Sequence, residues 1–159
     1  MDYQLKAPRI PQYSAVEQVL TNRGIKLQDI PHYLNTTDDD IIEPATIDRI
    51  ENGAKMLVKH IAQNDKVLIQ VDSDCDGYTS AAALMNYLYC LFPAFVQNNI
   101  FYRVHAGKQH GIVPDDINKD VKLVIAPDSS SNDYLEHEYL YKNGTDVLVI
   151  DHHEADKIS

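Results

Sequence analysis

From Lys66 onward the apolar residues fall into short runs separated by stretches with helical spacing. Val67-Leu68-Ile69-Gln70-Val71 is rich in β-branched residues and reads as a strand buried on both faces. Thr79 to Leu91 reads as a helix. Ile100 to Val104, Leu123 to Ala126 and Val147 to Ile150 are three further strands. Asn132 to Lys142 is helical, and Asn143-Gly144 supplies a good C-terminal stop. Strands alternating with helices predict parallel βαβ units. The expected fold is therefore α/β, a parallel sheet of four or five strands flanked by helices, with an N-terminal helical lead-in.

Residues 1–43 are a lead-in segment, punctuated by Pro8, Pro11 and Pro31. Within it Ser14 to Arg23 predicts a short helix, with Ser14 as N-cap, Glu17 three residues on, and Gly24 as stop. Asp38-Asp39-Asp40 reads as a solvated turn. Residues 44–159 form the second division and open on a longer helix, about Thr46 to Gln63. There Ile47, Ile50, Ala54, Leu57, Val58 and Ile61 keep helical spacing.

Composition narrows the class. With 44% hydrophobic and 24% charged residues in 159, the chain is neither disordered nor collagenous. No run reaches the ~18 apolar residues of a membrane span, so no membrane partner is expected. Two cysteines, Cys75 and Cys90, make no disulfide framework, and a reducing cytoplasm is the expected compartment. The net charge of −10 argues against a sequence-independent nucleic-acid binder. Carboxylates gathered for hard cations also make a chain acidic, and the bound ion then inverts the local field.

The position of the acids decides between those readings. Ligands of open parallel sheets bind beyond the carboxyl ends of the strands. Three strands here end in acids: Asp72-Ser73-Asp74-Cys75-Asp76-Gly77, Asp128-Ser129-Ser130-Ser131, and Asp151-His152-His153. Singly, each has a plainer explanation. Asp-x-Asp-x-Asp-Gly could open a calcium loop, but the twelfth position, which needs glutamate, is Ala83. Asp128 could cap a helix, and Asp151 could begin a surface turn. Jointly, carboxylates and imidazole on three strand ends suit Mn²⁺ or Mg²⁺, in a two-ion site for in-line phosphoryl displacement. Cys75, between two ligand candidates, reads as a small buried side chain pointing away. Tyr78, Tyr87 and Tyr89 could stack on bases, although core packing is the expectation on a helix behind the first acids.

These residues resemble a known family. Val71 to Ser80 looks like the first motif of the DHH phosphoesterases, and its Gly77 and Thr79-Ser80 resemble the RecJ-like single-strand exonuclease branch. Ala126-Pro127-Asp128-Ser129 is similar to the second motif. Asp146 to Glu154, containing Asp151-His152-His153, is similar to the third. Gly107-Lys108-Gln109-His110-Gly111-Ile112 resembles a loop between the first two, and Asn22-Arg23-Gly24 and Tyr33-Leu34 resemble the family's lead-in. The resemblance implies that Asp74 and Asp76 bind one ion each, that Asp128 bridges both, and that His152 ligates the second. Asp72 is a ligand or supports one. His153 would face the scissile phosphate, with Asp151 orienting the histidines. Arg103, His105, Lys108 and His110 are the groups available to contact substrate.

The implied activity is Mn²⁺- or Mg²⁺-dependent hydrolysis of single-stranded DNA from the 5′ end, in repair or recombination. Family members carry a fourth acidic motif and a second domain after the His pair, neither of which appears before Ser159. The chain is therefore expected to be an N-terminal portion or a short relative that folds but is inactive or very weak alone. Its expected partners are single-stranded DNA, a C-terminal domain, and DNA-repair or replication proteins. Two alternatives stand beside this. One is a non-catalytic nucleic-acid- or protein-binding module on the same fold. The other is a small-nucleotide phosphodiesterase, disfavoured because cyclic-dinucleotide enzymes of the family place a His where Gln70 stands.

Overall fold

A computed structural model describes residues 7–105 and 109–157. The chain divides into two compact units at Asp48/Arg49. In the first, α1 (Ala15–Asn22) begins as expected, with Ser14 and Glu17 closing a reciprocal capping box. Helix α2 (Ile30–Leu34) follows, and Asp38–Asp40 is an exposed 3-10 turn.

The second unit is a sheet of four parallel strands, β1 (Lys66–Val71), β2 (Ile100–Val104), β3 (Val121–Pro127) and β4 (Asp146–Ile150), in the order β2-β1-β3-β4. Val67 pairs with Ile100 on one side and Leu123 on the other, and Leu123 pairs in turn with Asp146. Alternation sorts the side chains to two faces. Val67, Ile69, Val71, Leu123 and Ile125 pack with residues of α3 (Ile50–Ala62), α4 (Cys75–Leu91) and α5 (Pro93–Asn99). Leu68, Val124 and Ala126 pack on the other face with Leu140 of α6 (Tyr134–Lys142) and with Ile112. The chain leaves β1 for β2 on one side and returns to β3 on the other. The crevice of such a sheet opens at that reversal, at the carboxyl ends of β1 and β3.

The structure corrects several expectations. Helix α3 starts at Ile50, because Arg49 is left-handed (φ 57°) and Ile47 is extended. The spacing of Ile47 and Ile50 imitated a helical turn that the backbone does not make. Helix α4 starts four residues earlier than expected, at Cys75, and α5 went unrecognised. Cys75 is exposed, not buried: the segment is the first turn of a helix, so the alternation of an extended chain does not apply. Tyr78, Tyr87 and Tyr89 are 48%, 65% and 47% exposed, so they are not core residues. Only one side of α4, carrying Ala81 and Leu88, is buried.

Candidate metal centre

The first acids are set by a tight strand-to-helix turn. Asp74 caps α4, its Oδ1 accepting from the Gly77 amide at 3.0 Å, and that hydrogen bond holds its pKa below the usual carboxylate value. Asp76 then lies in the first helical turn. Residue 77 must be glycine for the turn to close: a Cβ there would lie 2.7 Å from Asp72 Cβ and 2.9 Å from the Asp72 carbonyl oxygen.

Asp128 extends β3 by one residue. Its amide donates to Ile150 O at 2.8 Å, and its backbone is left-handed, φ 65°. The side chain is buried, and Oδ2 has no hydrogen-bond partner among the described residues. Burial raises its pKa, and so do the charges of Asp76 and Asp74.

Asp151 organises the end of β4. Its side chain is only 2% exposed and accepts the Ser131, His152 and His153 amides at 3.1, 2.8 and 3.2 Å. It also takes His153 Nδ1 at 2.7 Å. Burial opposes ionisation, but the hydrogen bonds from Ser131 and His153 prevail and lower its pKa to about 2. The same carboxylate raises the pKa of His153.

These three strand ends converge. Ligand atoms of Asp74, Asp76 and Asp128 lie within 4.8 Å of one another, and so do those of Asp128, His152 and His153. His152 Nε2 is 3.1 Å from Asp128 Oδ1 and 4.0 Å from Asp76 Oδ2. Asp128 belongs to both groups. Three carboxylates this close repel one another, and one buried oxygen is unsatisfied. Hard oxygen and imidazole donors in that state fit divalent cations such as Mn²⁺ or Mg²⁺.

Asp72 lies outside both groups among the described residues. It is buried and holds the Ser73 amide at 2.9 Å and His110 Nδ1 at 3.0 and 3.1 Å. His105 is also buried, which lowers its pKa, and its Nε2 has no hydrogen-bond partner among the described residues. Arg103 lies one strand away on β2, where its Nε donates to Gln70 Oε1 at 2.8 Å and its Nη2 to Val113 O at 3.1 Å. Lys108 lies outside the described residues. The sequence reading missed Asp133, whose Oδ2 accepts the Ile112 amide at 2.9 Å. Gly111 was the available signal. Its φ of +73° and its closeness to the Asp133 carboxylate exclude a side chain there.

Comparison with known proteins gives the family of the chain. Residues 66–159 match the DHH family, N-terminal domain, and the chain belongs to that family. Over its whole length the chain is 39% identical to YorK, an SPbeta prophage-derived protein of Bacillus subtilis (strain 168) named as a candidate single-strand DNA-specific exonuclease, and covers 27% of it. It is 24% identical over 146 residues to the single-stranded-DNA-specific exonuclease RecJ of the same strain, covering 87% of this chain and 18% of that one. The crystal structure of exonuclease RecJ bound to manganese superposes with a TM-score of 0.61 at 20% identity, covering 74% of this chain and 30% of the other. The chain thus spans only 27% and 18% of the lengths of these two curated relatives.

Proposed function

We propose that the chain carries the catalytic centre of a two-metal phosphodiesterase acting on single-stranded DNA from the 5′ end, with Mn²⁺ or Mg²⁺. The observation that supports this reading is Asp128, a buried carboxylate that falls within 4.8 Å both of Asp74 and Asp76 and of His152 and His153, and whose Oδ2 has no hydrogen-bond partner among the described residues. The substrate follows from similarity to proteins named as single-strand-specific exonucleases.

Asp74, Asp76, Asp128 and His152 would hold the cations. Bound there, divalent ions would supply positive charge to the phosphoryl oxygens and lower the pKa of a water nucleophile. The remaining work belongs to the protein. Asp151 takes Nδ1 of His153 and fixes the ring, and it favours the imidazolium. Nε2–H is then left to donate to a non-bridging oxygen of the scissile phosphate, where negative charge grows in the transition state. Asp151 itself stays ionised throughout, because its pKa is held near 2.

The test is digestion of single-stranded oligonucleotide, labelled at either end, with Mn²⁺ at low salt. Protein concentration should be high, because a surface of net charge −10 repels the strand. Nucleotide release should be lost in Asp76→Ala and in chelator, and should begin at the 5′ label. No release from either label, by this chain or by a version extended with the C-terminal part of a relative, would overturn this reading.

A further inference from the structure

The carboxyl edge of the sheet holds two Asp–His pairs built alike. At the end of β4, Asp151 is 2% exposed and takes Nδ1 of His153 at 2.7 Å, while the imidazole is 57% exposed. At the end of β1, Asp72 is 5% exposed and takes Nδ1 of His110 at 3.0 Å, while that imidazole is 67% exposed. In each pair a buried carboxylate fixes the ring and leaves Nε2 on the outside. In its cationic form such a ring has one remaining N–H, and it points away from the carboxylate. Strand β3, with Asp128 at its end, lies between β1 and β4. The two anchoring carboxylates are thus two strand spacings apart, roughly 9–10 Å, on either side of the carboxylate cluster.

His110 is not a loose surface residue. The next residue, Gly111, is left-handed (φ +73°) against Asp133. Beyond it the Ile112 amide is held by Asp133 and the Val113 carbonyl by Arg103. Four elements pin this short segment: β1 through Asp72, β2 through Arg103, the approach to α6 through Asp133, and the core through buried Ile112. His110 is near enough to Asp74 to help lower that carboxyl's pKa. Among the described residues Asp72 belongs to neither metal-capable group; its carboxylate is engaged by the Ser73 amide and His110 Nδ1.

We propose that His110, oriented by Asp72, is a second phosphate contact, and that the substrate lies along the carboxyl edge from β4 to β1 with His153 and His110 on successive phosphates. This rests on the phosphoesterase reading above and adds that the ligand needs two phosphates to fill the site. A nucleoside monophosphate would meet only one of the two imidazoles.

Imidazole ¹⁵N spectra of the 159-residue chain with Mg²⁺ test this. The two probes are thymidine 5′-monophosphate and 5′-phosphorylated dithymidylate with a phosphorothioate link. Both should move the His153 ring, and only the two-phosphate ligand should move His110. His110→Ala, at an exposed position, should weaken the two-phosphate ligand about tenfold, the loss expected of a hydrogen bond to a charged group. It should leave the monophosphate unaffected. If His153 responds but His110 does not, or if both ligands move His110 equally, the second contact is wrong while the phosphoesterase reading stands. If neither ring responds to either ligand, both readings fall.

Discussion

At the amino edge of the sheet, His60 lies between Asp65 and Asp146, its Nδ1 2.8 Å from one carboxylate and its Nε2 3.0 Å from the other. Lys59 Nζ adds a third contact, 3.0 Å from Asp146. At the carboxyl edge, Asp74, Asp76 and Asp128 share one small volume with His152. Both edges collect aspartate and histidine, yet their electrostatics are opposite. Each carboxylate of the amino edge faces a cation or imidazole, and burial's tendency to raise the pKa of Asp146 is overcome by Lys59 and His60, which lower it. At the carboxyl edge, burial and neighbouring carboxylates raise the pKa of Asp128, and one of its oxygens has no partner. A depression of about 630 Å³ lies over the amino edge, bordered by Lys59, His60, Asp65 and Asp146. A concavity whose carboxylates, Asp65 and Asp146, already face His60 and Lys59 has no reason to take a cation. An incomplete charge balance, and not the presence of Asp and His, marks the site.

The largest contrast should come from removing the central residue of each cluster. Asp128→Ala should weaken Mn²⁺ binding by at least ~100-fold, since even residues supporting a ligand cost ~10–100-fold. It should leave metal-free stability unchanged or higher, because a repelled carboxylate is removed. His60→Ala should do the reverse, costing roughly 3–5 kcal/mol, since two hydrogen bonds to carboxylates worth about 1.5–3 kcal/mol each are lost, with Mn²⁺ affinity intact. Calorimetry and urea unfolding read the two quantities. A His60 variant that loses metal affinity would mean that the edges are not independent.

Gly77→Ala should disturb the carboxyl edge alone. The new Cβ would meet the Asp72 backbone and Cβ, which cannot rotate away. Overpacking of this kind costs ~1–3 kcal/mol, and opening the turn should move Asp74 and Asp76 together. Stability and Mn²⁺ affinity should therefore fall together in this variant, unlike in the previous pair.

The two edges should also respond oppositely to pH in the metal-free chain. The Asp146 pKa is lowered from 3.8, so its stabilisation is present above that value and is lost as pH falls through the lower folded value. The Asp128 pKa is raised from 3.8, so its relative stabilisation is present below that value and is lost as pH rises through the higher folded value. Urea unfolding between pH 2 and 7 should show Asp146→Asn flattening the acid limb and Asp128→Asn flattening the decline above it. A shared change in slope would break the contrast.

What the sequence showed follows the same division. The strands were legible because each is a contiguous apolar run, and the carboxyl-edge acids because they follow those runs directly. The start of α4 was missed because its first turn, Cys75-Asp76-Gly77, contains an acid of the first motif and a glycine, which is a poor helix former, and so reads as a loop. Helix α5 was missed because its seven residues, opened by Pro93, span less than two turns. The exposed tyrosines of α4 were misplaced because Ala, Leu, Met and Tyr occur all round that helix, leaving no polar face to mark its outer side. The amino-edge cluster was invisible for a topological reason. His60 and Asp146 are 86 residues apart, and only the pairing of β4 beside β3 and the packing of α3 bring them together. Likewise Asp72 reads as one more acid of the first motif, and only the structure shows it committed to His110.

The smallest effect concerns Lys59. Its side chain is 53% exposed, and it contacts Asp146, which is 26% exposed. Exposed ion pairs are worth about 0.2–1 kcal/mol, because water screens the attraction and ordering a long side chain costs entropy. Lys59→Met keeps the aliphatic stem and removes the charge. It should destabilise the chain by about 0.5 kcal/mol at low salt, and less at 1 M salt, where the Debye length shrinks to about 3 Å. His60 would still hold Asp146 at Nε2, so the carboxylate is not orphaned. Mn²⁺ affinity should not change, since Lys59 is at the end of the sheet away from the carboxylate cluster. Urea unfolding at the two salt concentrations measures this. A loss above 2 kcal/mol that persists in high salt would show that Lys59 belongs to the buried network, and that the amino edge depends on three groups where the comparison counts His60 as the one that matters.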